Sequence, residues 1–397
     1  MVRNFLRWTG PGRSHVRRLN AGWQRGRFER LEQRSLLAFD AAAPLPAAAL
    51  GLPSADLGGT TILPLTDLED VGTNATMRNP QSKTWQKGGA WWTILDTTES
   101  TNLYRLDGSS WTQLMVLSSS RYNADVRPVG NADVTYALLY SGVSGRLAKL
   151  TWTGSTYALT PLVSPSTPLA TVPMSPGSDV ATIALDTTGK MWVAADTNST
   201  IEVRYADAPY TAWSSPITLA TTSSVERELS AVVAFSGKIG VFWNDHATQR
   251  FGFRFHVDGD SPTAFSANEV PASQSAKTAG LGMADDHMNI KVAADGTLYV
   301  AVKTSWDLTV RAYPEIALLV RRPNGAWDPL YGIDAHGTRP IVELNETTGF
   351  LRFIYGTETG IGDIGYKIFR LRRSIRQIPI SFTAVPICPP RFTLGRR

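Results

Sequence analysis

Arginine and carboxylate side chains gather at a few points of this 397-residue sequence. Asp125 with Arg127, Asp179, Glu226 with Arg227, the run Asp285-Asp286-His287, and Arg339 each open an apolar, strand-like segment. Asp96, Asn244, Asp245, His246 and Glu358 each follow one. Guanidinium groups grip oxyanions through paired N–H donors, and carboxylates accept from hydroxyls. Gathered in one funnel, such a set suits an acidic or polyhydroxylated ligand. Arg127, Arg339, Asp285, Asp286, His287 and Asp245 are therefore the candidate ligand-binding residues. The alternative for each is an ordinary solvated strand end. Glycoside hydrolysis usually needs two carboxyl groups of separated pKa. No unique pair stands out, and Tyr355 and Asp125 are candidates without an assigned catalytic role.

Other chemistries find less support. The sequence has no Gly-rich phosphate loop, no HExxH and no GxSxG. Its five histidines (His15, His246, His256, His287, His336) are scattered, although His246 and His287 could meet at one mouth. The single cysteine, Cys388, allows neither an internal disulfide nor a thiolate metal cluster, so no metal and no cofactor is expected.

The total charge of +5 hides a division. Residues 1–38 carry nine Arg against two acids, and residues 370–397 carry seven Arg against none, a balance of +7 at each end. Residues 39–369 therefore carry −9, which speaks against a nucleic-acid partner. No stretch of about 18 apolar residues is present, so no transmembrane segment is expected. Hydrophobic residues make up 43% and aromatics 10%, enough for a sizeable core. Charged residues at 18%, with abundant Thr, Ser, Gly and Pro, favour strands and turns.

The elements that must position the candidate residues show as a repeat. A strand ending in Asp, Asn or Thr recurs as GGAWWTILDT (88–97), NADVTYALLYS (131–141), TTGKMWVAADT (187–197), SGKIGVFWND (236–245), ADGTLYVAVKT (294–304) and TTGFLRFIYGT (347–357). The turn glycines Gly189, Gly237, Gly296 and Gly349 lie 48, 59 and 53 residues apart. An apolar strand precedes each copy, and a third strand, a turn and an aromatic-led fourth follow. This is the period of a propeller. The fold expected is all-β, a six-bladed β-propeller of four-stranded blades over residues 80–370, acting as a monomer. Trp92, Trp192, Trp243, Tyr299 and Tyr355 recur at equivalent positions and read as packing between blades. Trp306 reads as the best single candidate for an exposed, sugar-stacking ring.

The ends read differently. Residues 1–55 form a basic leader and an Ala/Pro linker without a periodic apolar face, expected to be disordered. Residues 371–397 form an irregular Arg/Pro-rich tail, expected to lie outside the fold. That tail reads either as a basic anchor or, preferably, as a foreign segment left by a shifted reading frame or truncation, leaving the sixth blade without its outer strand.

Two resemblances add to this reading. Leu31-Glu32-Gln33-Arg34-Ser35-Leu36-Leu37-Ala38 resembles the LEPR-XLL motif at the start of planctomycete surface and secreted proteins, with Gln33 in place of Pro. It implies export, to a secreted or cell-surface location. The blades resemble the sialidase-type, or BNR-repeat, propeller superfamily, whose Asp-boxes read Ser-x-Asp-x-Gly-x-x-Trp between third and fourth strands. Degenerate versions stand at 106–111 (LDGSSW) and 323–327 (PNGAW). Arg127-Pro128-Val129 and Arg339-Pro340-Ile341 echo the family's Arg-Ile-Pro segment without its order. The resemblance implies glycan-related chemistry. The expected function is a binding module for a glycan or a cell-surface or matrix component. The alternative is an exo-acting glycoside hydrolase of sialidase type, which would require Arg127, Arg339 and one of Arg204, Arg227, Arg254 or Arg352 to converge with Tyr355.

Overall fold

A computed structural model describes residues 80–222, 228–306, 313–357 and 364–371. The leader, the tail beyond Leu371, Glu226, Arg227 and Glu358 lie outside the described residues. Six small antiparallel sheets follow one another along the chain and form a six-bladed β-propeller.

Blade 1 holds β1 (Thr84–Lys87), β2 (Ala90–Asp96), β3 (Thr101–Asp107) and β4 (Ser110–Ser118). Blade 2 holds β5 (Asn123–Val129), β6 (Val134–Ser141), β7 (Ser144–Trp152), β8 (Tyr157–Thr160) and β9 (Ala170–Pro173), with β8 and β9 sharing the length of β7. Blade 3 holds β10 (Ala181–Leu185), β11 (Met191–Asp196), β12 (Thr200–Ala206) and β13 (Ile217–Thr221). Blade 4 has β14 (Ser230–Phe235), β15 (Lys238–Asp245) and β16 (Arg250–Val257). Blade 5 has β17 (Met288–Val292), β18 (Leu298–Lys303), β19 (Ile316–Arg321) and β20 (Tyr331–Asp334). Blade 6 has β21 (Thr338–Asn345), β22 (Phe350–Gly356) and β23 (Ile364–Arg370). Blades 4 and 6 show three strands each among the described residues; four were expected in blade 4, whereas blade 6 was expected to lack its outer strand. In blade 4 a single bridge between Phe253 and Glu269 stands where a fourth strand would run.

The hairpin glycines of the repeat do what the pattern requires. Gly189, Gly237, Gly296 and Gly349 take φ of +87°, +68°, +87° and +70°, a region that strains any L side chain. At Gly296 an added Cβ would also come within 2.1 Å of the Ser236 hydroxyl oxygen.

The core is a series of apolar seams between consecutive blades, not one central cluster. Trp92 and Leu103 meet Leu139 and Tyr157 between blades 1 and 2. Leu138 and Leu147 meet Ile183 and Val193 between blades 2 and 3. Trp192 and Trp243 share the seam of blades 3 and 4, and Phe242 and Phe253 pack on Val300 and Leu319 between blades 4 and 5. Tyr299 and Leu318 meet Phe353 and Tyr355 between blades 5 and 6. The recurrent aromatics therefore occupy seams, as expected from their spacing.

The innermost strands are joined sideways. Asp125 on β5 accepts the backbone N–H of Ser82 (2.6 Å) through one oxygen and that of Ile183 (2.7 Å) on β10 through the other. Thr182 Oγ1 accepts from Val232 N on β14 (2.9 Å), and Asn289 Oδ1 from Val342 N on β21 (3.2 Å). Within a blade, the polar residue that ends the second strand caps the entrance to the first. Asp196 accepts from Val180 N at 2.8 Å, and Asn244 accepts from Leu229 N at 2.6 Å.

Because the Asn244 acceptor is fully buried, Asn244→Ala leaves the Leu229 N–H without a partner. The expected loss is about 1–3 kcal/mol of unfolding free energy in denaturant titration, with Thr211→Ala, at an exposed position, as the neutral control.

Candidate functional site

The mouth of the channel is built where the β15–β16 turn meets the entrance to β17. Met283 N donates to Gln249 O at 3.1 Å across this junction. At Gly282 an added Cβ would lie 2.2 Å from the Gln249 side chain, so only glycine allows so close an approach. The segment 285–287 is thereby held against the turn that carries Asp245.

The charged cluster sits here. His287 Nδ1 lies 2.9 Å from Asp285 Oδ1 and 2.5 Å from Asp286 Oδ1. Asp285 Oδ2 accepts from the Ser305 hydroxyl at 3.0 Å, and Lys303 Nζ stands 3.5 Å away. Burial alone would lower the His287 pKa, but the adjacent charges of Asp286 and Asp285 outweigh it and raise the value to about 9. Asp285 moves the other way. Burial pushes its carboxyl up, but the hydrogen bond and charge of His287, with the charge of Lys303, hold it well below the usual carboxylate range. At neutral pH the cluster is an imidazolium between two carboxylates, backed by an ammonium.

Asp285, Asp286 and His287 also present their ligand atoms within 4.8 Å of one another. Metal binding requires a neutral imidazole nitrogen, so a cation here would have to displace the proton that the two acids favour on His287.

The other expected mouth residues take separate roles. Asp245 Oδ1 accepts from Thr248 N at 3.1 Å and closes the β15–β16 turn. His246 Nδ1 contacts the Asn244 side chain at 3.1 Å, and its backbone N–H donates to Glu228. His246 and His287 thus engage different partners. Arg339 stands in the bulge where the β21–β22 register slips, with φ of +52°.

The expectation that Arg127 and Arg339 share the mouth meets a difference of level. Asp125, Thr182 and Asn289 each cap the following blade, which makes them equivalent along the axis. Arg127 and Lys291 are each two residues further on, whereas His287 is two residues earlier and Arg339 precedes the equivalent Ile341 by two. Four residues separate His287 from Lys291, roughly 13 Å of strand, and the bulge at Arg339 makes its offset somewhat shorter. Arg127 and Lys291 therefore lie deeper in the channel, and His287 and Arg339 at its entrance.

The arginines expected to join a substrate grip lie elsewhere. Arg204 donates to Ser214 O and the Ser175 hydroxyl, and Arg254 to Ser266 O and Leu219 O, all on third strands. Arg352 pairs with Glu343 at 3.0 Å. Tyr355 is 4% exposed and its hydroxyl donates to Asp334. Burial, then the Asp334 hydrogen bond, pushes this phenol well above its ordinary pKa. Asp125 is 5% exposed, and burial raises its pKa to about 7 against the pull of the Ile183 and Ser82 N–H groups.

Trp306 requires a correction. It is 3% exposed, its Nε1 donates to Lys277 O at 3.2 Å, and it packs on Tyr313 in the seam of blades 4 and 5. It is a core residue and offers no face to a sugar. The degenerate Asp-boxes do stand between third and fourth strands, β3–β4 and β19–β20. Lys303, Ser305, Lys291 and Glu343 were not among the expected site residues. A lysine between the β-branched Ile290 and Val292 of the strand MNIKV was the available signal for one of them.

No protein-family model matches the sequence, and no curated protein matches it. Among solved structures, the chain is similar to the NanB sialidase from Streptococcus pneumoniae, at 12% identity and TM-score 0.38, over 72% of this chain and 50% of that one. It is also similar to TolB from Acinetobacter baumannii (11%, TM-score 0.41, 69% and 58%) and to the polysaccharide lyase Uly1 (9%, TM-score 0.37, 74% and 91%). The chain spans about half the length of the sialidase chains it matches. These are likenesses of fold alone. No helix among the described residues is long and apolar enough to cross a membrane.

The His287 cluster makes stability depend on pH. With a folded pKa of about 9 against an ordinary 6.5, its contribution is complete below about pH 6.5 and is lost as pH rises through 9. The melting temperature should fall over that window, by the equivalent of about 3 kcal/mol, and His287→Gln should flatten the profile.

Proposed function

We propose that this chain is a secreted or cell-surface propeller that binds a glycan or surface-protein ligand at the mouth formed by the entrances to β17 and β21 and the β15–β16 turn. The observation that carries this reading is the division of labour among the acids and phenols. Both oxygens of Asp125 are committed to backbone N–H groups, and the Tyr355 hydroxyl is committed to Asp334, so both candidates for hydrolytic roles serve the framework. The side chains at the entrance are of a different kind. Asp286 and Asp245 are partly open to solvent, and the imidazolium of His287 sits beside Asp286.

Such an entrance recognises hydroxyl and charged groups by hydrogen bonding, with carboxylates as acceptors and Arg339 as a donor fork. The export-like motif at residues 31–38 supports a location where glycans and matrix components are met. The acidic charge of residues 39–369 supports ligands other than nucleic acid.

A glycan array probed with the full chain, run beside fluorogenic sialoside turnover, tests the proposal. Binding without turnover is expected. Arg339→Ala and Asp286→Ala should each weaken the selected ligand by about 1.5–3 kcal/mol. Sialoside turnover that disappears in a folded Tyr355→Phe variant would establish the hydrolase reading instead.

A further inference from the structure

We infer that the channel holds a second site, below the mouth, for a small oxyanion bound between Arg127 of blade 2 and Lys291 of blade 5. Blades 2 and 5 stand opposite each other in a six-bladed ring, and the register above places these two residues at one level. The charge of Glu343 on the adjacent blade and that of Asp125 across the channel both reach Lys291. Arg127 follows Asp125 by two residues on the same strand face and feels the same charge.

The Arg127 Nε is buried without an acceptor, and among the described residues no hydrogen bond or ion pair joins either head group. The acids whose charges reach them are already engaged. Asp125 accepts from Ser82 and Ile183, and Glu343 holds Arg352 at 3.0 Å. Burial lowers the pKa of both cations, and each side chain is partly withdrawn from water. An anion held between them offsets the hydration they have lost. A planar carboxylate matches the guanidinium fork, and a tetrahedral sulfate or phosphate offers oxygens to both head groups. The ligand class is therefore a small oxyanion, free or carried on the end of a larger molecule that enters the channel. This site is independent of the ligand at the mouth.

The test is thermal unfolding of the full chain in sodium sulfate and in sodium acetate, each against sodium chloride at equal ionic strength, with calorimetric titration of the same salts. A saturable rise in melting temperature beyond the chloride control, and a titration with one site per chain, are expected for at least one oxyanion. Sulfate alone selects a tetrahedral anion, and acetate alone selects a carboxylate. Arg127→Gln and Lys291→Met should each weaken that affinity at least tenfold. Arg127→Lys and Lys291→Arg, which keep the charge, should retain measurable binding if the neutral variants fail to fold. Arg339→Ala, at the mouth, should leave oxyanion affinity unchanged. Stabilisation no greater than that by chloride overturns the inference. So does oxyanion affinity undiminished in Arg127→Gln and Lys291→Met.

Discussion

The inner edge of each blade sets the terms for the rest of the molecule. A sheet that ends at a channel leaves a row of backbone N–H and C=O groups without strand partners, and buried groups of this kind must be paired. Here the pairing comes from the side. Asp125 caps blade 3 and the entrance to blade 1, Thr182 caps blade 4, and Asn289 caps blade 6. Gln81 reaches further, donating to Ala181 O at 3.1 Å. Because each cap is fixed on one blade and its donor on another, these bonds set the register between blades while they satisfy the backbone. Apolar contact is non-directional, whereas a hydrogen bond fixes one donor against one acceptor.

That constraint also sorts the buried carboxylates. Asp125, Asp196 and Asp285 are all largely withdrawn from water, at 5%, 2% and 8% exposed. Burial raises Asp125 and Asp196 to about 7, because the backbone N–H groups that oppose it, joined at Asp125 by the weaker pull of the Lys83 and Arg127 charges, only partly offset the lost hydration. Burial acts on Asp285 too, yet His287 and Lys303 carry full charges, and its carboxyl ends far below its ordinary value. The type of partner, not the depth of burial, decides the direction. Framework acids thus drift towards neutrality inside the protein, while the acid at the mouth stays ionised and able to hold the imidazolium in place.

What the sequence made legible follows the same division. Turn glycines, strand alternation and seam aromatics are local signals, readable over a few residues, and Gly189, Gly237, Trp92 and Trp192 all serve as their spacing implied. Depth along the channel is not local. Arg127 and Arg339 both stand in first strands beside a proline, and only the cross-blade caps reveal that they sit at different levels. Trp306 misled for a related reason. Ser305 and Asp307 make its surroundings look solvated, but the chain folds back so that Lys277 supplies an acceptor beneath the ring. Polar neighbours in sequence say little about which way a large ring points once a seam is available to receive it.

The pairing of Tyr355 with Asp334 shows how a framework can imitate a catalytic set. Seam aromatics with a polar atom must bring an acceptor or a donor into the seam with them. Trp92 donates to Lys87 O at 2.9 Å, Trp192 to Asp186 at 3.0 Å, Trp85 to the Tyr157 hydroxyl at 2.9 Å, and Trp327 to Glu269 at 2.7 Å. Tyr355 belongs to this series, and Lys367, 2.9 Å from Asp334, keeps the acceptor charged. In sequence Tyr355 is a candidate only through its place near the end of the repeats, and its carboxylate partner lies 21 residues earlier. In a seam, the same two residues satisfy one buried hydroxyl. The distinction lies in where the hydroxyl points: towards the channel it would be available to a substrate, and here it points to the end of β20.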